Sequence, residues 1–134
     1  MRSILNRCIE SGVLWGIVTN KPEYLTLRLV DQLGLADRVS CVIGGDSLPK
    51  RKPHPLPITH ACKLTDTTPD DCLFIGDSVR DIEAGSAAGV GTLAVTYGYI
   101  PPGDDPIAWG ADFIVDTVPE ISTILWDSSH RILC

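Results

Sequence analysis

Short apolar runs alternate with segments of helical periodicity along almost the whole chain, and this alternation restricts the fold more than any other feature. The strand-like runs read VLWGIVTN, VSCVIGG, CLFIGD, GTLAVTYG and DFIVD. They are apolar throughout rather than alternately polar, which is typical of parallel strands buried on both faces. The sequence therefore predicts an α/β fold, a Rossmann-like three-layer αβα domain with a mostly parallel sheet.

The helical segments carry their own start and stop signals. We expect them at residues 2–11, 22–33, 54–64, from the end of CLFIGD to about residue 88, and after residue 117. Glycine, a common residue just past a helix, follows three of them, at Gly12, Gly34 and Gly89. Asn20 and Glu23 are spaced to cap the second helix, and Pro53 can be the first residue of the third.

Length and composition indicate one globular domain spanning residues 1–134. The chain is 44% hydrophobic and 21% charged, which is ordinary for a folded soluble protein. Its net charge of -6 argues against a nucleic-acid-binding protein, because nucleic-acid affinity depends mainly on clustered Lys and Arg. The one basic cluster is KRK at 50–52.

The cysteines and the N-terminus favour a cytoplasmic protein. Five cysteines, at positions 8, 41, 62, 72 and 134, form no CxxC pair and have no metal-like spacing. This pattern predicts reduced, mostly buried thiols. The sequence MRSILNRCIESG lacks the features of a signal peptide, and no apolar run is long enough to span a membrane, so we expect no membrane partner.

Polar residues at the ends of three predicted strands are the candidate site residues. Ligands of parallel α/β sheets bind at the carboxyl ends of the strands. Thr19 and Asn20 follow the first strand, Lys52 follows the second, and Asp77 follows the third. Lys52 precedes a helix start, where a cation opposes the helix dipole, so an anion between them is expected. The alternative is a solvated lysine in a basic surface run.

The stretch GDSVRD contains two carboxylates that have different explanations. Ser78 and Asp81 match a capping box, which accounts for Asp81 without any chemistry. Asp77 lies at the tip of an apolar strand, where a carboxylate is costly to desolvate unless a positive charge meets it. A hard cation such as Mg2+ would satisfy it, and so would an ion pair with Arg80.

The order of these signals resembles a known family. A Thr at one strand end, a Lys at the next helix start and GDxxxD at a third strand end resemble the second, third and fourth motifs of the haloacid dehalogenase-like (HAD) hydrolases. VTNKP, RKPHPLP and LFIGDSVRDIEAGSAAG are similar to the phosphoglycolate phosphatase branch. AVTYGYIPPGDDPIAWGADFIVD is similar to the N-acetylmuramic acid 6-phosphate phosphatases of that branch. The resemblance covers roughly residues 3–125.

The resemblance implies a role for each candidate residue. Thr19, Asn20 and Lys52 would bind the phosphate, and Asp77 with Asp81 would hold Mg2+. Thr19, Lys52 and Asp81 would also belong to the catalytic machinery, Asp81 by orienting the site or by bonding to the lysine. The implied activity is Mg2+-dependent removal of phosphate from a small metabolite, with phosphoglycolate and sugar or amino-sugar phosphates as leading substrates.

The first motif of the family, an apolar strand ending in DxDGT, does not occur in this sequence, and neither does the cap segment that follows it. We therefore expect the carboxyl-terminal part of a longer enzyme, which lacks the nucleophilic Asp and is a very poor phosphatase alone. The missing strand would lie between those ending at Thr19 and Asp77. We expect this gap to close by direct pairing, by exchange with another copy in a homo-oligomer, or by a separate piece of chain.

A second function remains open on the sequence. The truncated domain can instead serve as a non-catalytic binding or assembly module that retains a remnant of a phosphate site. Tyr97, Tyr99 and Trp109 also carry two interpretations, since they can line a sugar-phosphate pocket or pack within the core and loops.

Overall fold

A single six-stranded parallel sheet organises the chain. The computed structural model describes residues 2–128 and 131–133, and the side chains of residues 2–126. The strands are β1 (Trp15–Val18), β2 (Val42–Ile43), β3 (Cys72–Gly76), β4 (Gly91–Val95), β5 (Phe113–Val115) and β6 (Arg131–Leu133). Their order across the sheet is β2-β1-β6-β3-β4-β5, and all neighbours are parallel. The predicted α/β fold class is confirmed.

Helices cover both faces of this sheet. They are α1 (Arg2–Glu10), α2 (Glu23–Gln32), α3 (Leu56–Leu64), α4 (Val79–Ala88) and α5 (Val118–Ser128). Phe74 of β3 packs in a buried cluster with residues of α3 and α4, whereas its neighbour Leu73 packs with residues of α1 and α5. Successive strand residues point to opposite faces, so an uninterrupted apolar strand supplies both clusters.

The helix positions follow the sequence prediction closely, but two predicted helix starts are wrong. The residue before α2 is Pro22, and the N–H of Glu23 donates to Asp46 Oδ1 at 2.7 Å, so Asn20 does not cap this helix. Helix α3 begins at Leu56 rather than at Pro53. The described helices are 9 to 11 residues long, and none is long and apolar enough to cross a membrane.

Strand β6 occupies the central position for which the sequence offered no strand. Ile132 lies opposite Trp15 of β1 and Leu73 of β3, so β6 pairs with both neighbours. A segment of the same chain, following α5, therefore closes the gap between β1 and β3. The sequence analysis did not predict this strand, because its three residues are too few to show a periodic pattern.

The cysteines lie in the interior, as predicted. The described cysteines are buried, and burial raises the pKa of Cys8 and of Cys41. Cys62 Sγ lies 3.7 Å from Cys72 Sγ, and their hydrogen bond together with burial raises the pKa of Cys62. Thiols held in the neutral form are poor nucleophiles, so these groups serve packing. Cys134 lies outside the described residues.

The substitution Ile132→Pro tests the central placement of β6. Every N–H of a central strand faces a neighbouring strand, so proline removes a ladder hydrogen bond and leaves a buried acceptor unpaired. We expect the free energy of unfolding in urea to fall by about 2 kcal/mol. The matched control is Ile114→Pro on the edge strand β5, where a smaller loss is expected. An equal loss in both variants would contradict the central position.

Candidate active site

The candidate residues surround a common hollow at the carboxyl ends of β1 and β3. Two cavities, of about 360 Å³ and 410 Å³, share the same four lining side chains, Thr19, Lys52, Asp77 and Asp81. Residues of β1 and β3 that follow those paired with the described part of β6 line the first cavity. The hydroxyl, the ammonium and the carboxylates that the sequence placed at separate strand ends are therefore brought together.

Lys52 is a buried lysine with a fixed ammonium group. Its exposed fraction is 8%, and Nζ donates to Asp81 Oδ1 at 2.5 Å and to the Val18 carbonyl at 2.9 Å. The ammonium also lies 5.1 Å from the centre of the Phe74 ring, within range of a cation–π interaction. The alternative of a solvated surface lysine is wrong. An ammonium carries three donors, so one remains for a ligand in the cavity.

Asp81 connects Lys52 to the end of β3. Its Oδ1 accepts from Lys52, and its Oδ2 accepts from the backbone N–H of Asp77 at 3.1 Å. The Asp81 N–H donates to Ser78 Oγ at 3.4 Å, which is half of the predicted capping box. In a complete capping box the Asp81 carboxylate would accept from the Ser78 N–H, whereas here it accepts from the Asp77 N–H. Both carboxylate oxygens are thus engaged, which favours the lysine-bonding role over metal ligation.

Asp77 presents an exposed carboxylate at the rim of the cavity. The loop after β4 lies directly against this side chain, since a Cβ at Gly98 would fall 2.6 Å from Asp77 Oδ2. Only glycine permits this approach without movement of the loop. Arg80 lines the second cavity beside Asp77, but no salt bridge joins the two among the described side chains.

The described side chains of the cavity supply one ligand of a Mg2+ site but not a complete set of ligands. Mg2+ prefers about six oxygen ligands, several of them water. Asp77 offers a hard oxygen donor in the cavity, whereas Asp81 is already bonded through both oxygens. Within the described residues, no group of three or more His, Cys, Asp or Glu side chains could hold a metal ion. Further ligands would have to come from water or from outside these residues.

Among the described residues, the Thr19 hydroxyl accepts one hydrogen bond and donates none. The backbone N–H of Thr19 donates to the Ile43 carbonyl at 2.9 Å, which fixes the end of β1 against β2. Its Oγ1 accepts from the N–H of Lys21 at 3.2 Å, so the hydroxyl hydrogen can point at a ligand in the cavity. This geometry agrees with the predicted contact to a phosphate oxygen.

Asn20 lines the second cavity, and its side chain is also bonded to the backbone of Lys52. Its side-chain amide bonds to the backbone of Lys52 through both polar atoms: Nδ2 donates to the carbonyl at 2.9 Å, and Oδ1 accepts from the N–H at 3.1 Å. One N–H of the amide and its oxygen are thereby used within the protein, which makes holding the Lys52 backbone the role that the contacts show.

The aromatic residues divide between the two interpretations left open by the sequence. Tyr97 lines the first cavity and Tyr99 the second, whereas Trp109 is buried against Ile82 and donates to Asp104 Oδ1 at 2.7 Å. The sequence analysis missed the Val18 carbonyl as a contact of Lys52. A backbone carbonyl has no signature in the sequence, so no signal could have found it.

Similarity to known proteins decides the family. A family model described as haloacid dehalogenase-like hydrolase matches residues 1–95. The chain belongs to this family. The resemblance that the strand-end residues indicated is therefore confirmed.

Curated relatives of this HAD-like chain are longer phosphatases. It is 44% identical over 118 residues to a phosphoglycolate phosphatase of Xanthomonas campestris, which covers 88% of this chain and 53% of the relative. It is 47% identical over 118 residues to an N-acetylmuramic acid 6-phosphate phosphatase of Pseudomonas putida, which covers 87% and 53%. The chain thus spans about half the length of the curated relatives that it matches.

Solved structures share the fold of the HAD-like chain. A predicted phosphoglycolate phosphatase from Haemophilus somnus aligns with a TM-score of 0.85 at 32% identity, covering 92% of this chain and 54% of that chain. A proposed phosphoglycolate phosphatase from Lactobacillus delbrueckii aligns with a TM-score of 0.83 at 27% identity, covering 92% of this chain and 51% of that chain.

The substitution Asp81→Asn tests the buried ion pair. Loss of the carboxylate leaves the Lys52 ammonium buried without a counter-charge, so we expect the free energy of unfolding in urea to fall by about 3 kcal/mol. Glu83→Gln, on an exposed position of the same helix, is the matched control and should change it by less than about 0.5 kcal/mol. Equal effects of the two variants would show that Asp81 is not the partner of a buried charge.

Proposed function

We propose that this HAD-like chain carries the phosphate-binding residues of a Mg2+-dependent phosphatase of small phosphorylated metabolites. One observation supports this most: the buried Lys52 ammonium and the Thr19 hydroxyl line the same cavity as the exposed Asp77 carboxylate. These are the groups that a phosphate beside a divalent cation needs.

The chemistry of phosphoryl transfer explains the arrangement. Charge spreads over the oxygens of the transferred group, and positioned donors stabilise it. The remaining donor of Lys52 Nζ and the Thr19 hydroxyl would hold these oxygens. Asp81 holds the ammonium in place through its 2.5 Å contact. Asp77 would be one ligand of Mg2+, which supplies further neutralisation of the phosphoryl charge when bound.

The proposed substrates are phosphoglycolate or a sugar or amino-sugar phosphate. The names of the relatives, phosphoglycolate phosphatase and N-acetylmuramic acid 6-phosphate phosphatase, support this range. Tyr97 and Tyr99 line the two cavities and could contact the part of the substrate that carries the phosphate. The buried thiols support our further proposal of a cytoplasmic location, and the net charge of -6 argues against nucleic-acid partners.

The nucleophile of the family has no counterpart in this sequence. No apolar strand in it ends in DxDGT. Covalent phosphoryl transfer needs an acceptor group, so we propose that the chain alone has little or no phosphatase activity. Activity would require a segment that supplies the nucleophilic Asp.

A non-catalytic role is the second candidate, and strand β6 favours it. β6 fills the sheet position between β1 and β3 without bringing an Asp, because it reads Arg131–Leu133. A sheet whose central position is filled by a strand without a nucleophile suits a binding or assembly module. Because β6 follows α5 after two residues, its exchange between two copies would also give a homo-oligomer.

An aryl phosphate assay separates the two candidates. With p-nitrophenyl phosphate and MgCl2, we expect no turnover by the chain alone. Turnover should appear when a segment bearing the DxDGT motif is added, and it should be lost in Asp77→Ala but kept in the control Asp31→Ala. Turnover by the chain alone that disappears in Asp77→Ala would overturn the proposed inactivity. No turnover with any added segment would favour the non-catalytic role.

Binding of inorganic phosphate tests the phosphate site without catalysis. In calorimetry with MgCl2, Thr19→Val should bind phosphate about tenfold more weakly, because it removes one hydroxyl donor and keeps the side-chain shape. The matched control is Thr123→Val on α5, because Thr123 lines neither cavity. This variant should bind phosphate like the wild type. Equal affinities of the two variants would remove Thr19 from the phosphate site.

A further inference from the structure

Both polar atoms of the Asn20 side chain form hydrogen bonds with the backbone of Lys52. Nδ2 donates to the Lys52 carbonyl at 2.9 Å and Oδ1 accepts from the Lys52 N–H at 3.1 Å. An amide side chain that pairs in this way mimics a neighbouring strand residue. It restrains the backbone of Lys52 in both position and rotation.

This restraint matters because nothing regular holds Lys52 in place. Residues 44–55, between β2 and α3, belong to neither a helix nor a strand. Within the described part of the chain, the backbone hydrogen bonds of Lys52 are those to Asn20. A lysine has a long flexible stem, so a mobile backbone would let its ammonium leave the cavity. With the backbone fixed, Nζ reaches both Val18 and Asp81.

Asn20 is itself held at a fixed place. The preceding residue, Thr19, is anchored to β2 through the Ile43 carbonyl. The backbone of Asn20 also packs so tightly against Gly45 that a Cβ at Gly45 would collide with the Asn20 carbonyl. The loops after β1 and β2 are therefore packed against each other, and the Asn20 amide holds the backbone of Lys52 at a fixed place relative to them.

We propose that Asn20 is a positioning residue that acts on the phosphate site through the backbone of Lys52. This inference rests on the proposed role of Lys52 in phosphate binding. Asn20 also lines the second cavity, but its proposed role is exerted through Lys52 and not as a direct ligand of the phosphate. Asn20 determines the fraction of time for which the Lys52 ammonium occupies the cavity. Its effect on phosphate affinity therefore follows from its effect on the position of Lys52.

Chemical labelling of lysines tests the placement without any ligand. The wild type and Asn20→Ala are treated with an amine-reactive ester, and modification of Lys52 is followed by mass spectrometry relative to Lys63, which is exposed on α3. Loss of two hydrogen bonds should raise the relative labelling rate of Lys52 by about tenfold. Ser47→Ala is the matched control, because it removes a bond to Gly44 in the same loop and leaves Lys52 untouched.

Two comparisons guard against a general loss of structure. Circular dichroism verifies that each variant is folded under the labelling conditions. Asn20→Asp keeps the acceptor for the Lys52 N–H and replaces the donor to its carbonyl, so it should label Lys52 at a rate between those of wild type and Asn20→Ala. Unchanged labelling of Lys52 in both folded Asn20 variants overturns the proposal, and so does an equal increase in Ser47→Ala.

Phosphate affinity connects the placement to the site. Titration with inorganic phosphate in MgCl2 should show about tenfold weaker binding by Asn20→Ala, in step with its Lys52 labelling. Weaker binding with unchanged labelling would make Asn20 a direct ligand and overturn the positioning role. If the wild type binds no phosphate, the proposed function fails, while the labelling still decides whether Asn20 holds Lys52.

Discussion

The buried pair of Lys52 and Asp81 is the interaction on which the site depends. Taking two charges out of water costs several kcal/mol for each ion, and only close contact with further hydrogen bonds recovers that cost. The pair meets this condition because the Val18 carbonyl accepts from the ammonium and the Asp77 N–H donates to the carboxylate. The ends of β1 and β3 and the loop after β2 are thereby joined at one point, with one ammonium donor left for a ligand.

The parallel sheet explains why three distant segments meet there. Parallel strands end at the same edge, so residues that follow them in sequence collect in one hollow. The position between β1 and β3 is the centre of this sheet, where unpaired backbone groups are most costly. Strand β6 pairs with both neighbours, and among the described residues this pairing extends to Gly16 on β1 and Phe74 on β3. The next residues of the two neighbouring strands, Ile17 and Ile75, line the first cavity.

The sequence predicted the element order well because the signals are local. The apolar runs became strands, and Gly12, Gly34 and Gly89 follow their helices with positive φ. The wrong cap of α2 has a physical cause. Asp46 supplies the bond to the first turn of α2 from another loop, which frees Asn20 for Lys52. A partner that is distant in sequence replaced the local one, and no spacing rule contains that information.

The sequence by itself determined the fold class and the functional groups of the candidate site. Periodicity, glycine positions and the order of Thr19, Lys52 and Asp77 can all be read from short stretches of the chain. Only the tertiary structure decided how these groups are used. It buried Lys52 against Asp81, turned the Asn20 amide onto the Lys52 backbone, and left Asp77 exposed. The reason is that burial and hydrogen-bond partners depend on which segments become neighbours in space, and packing of the whole sheet decides that.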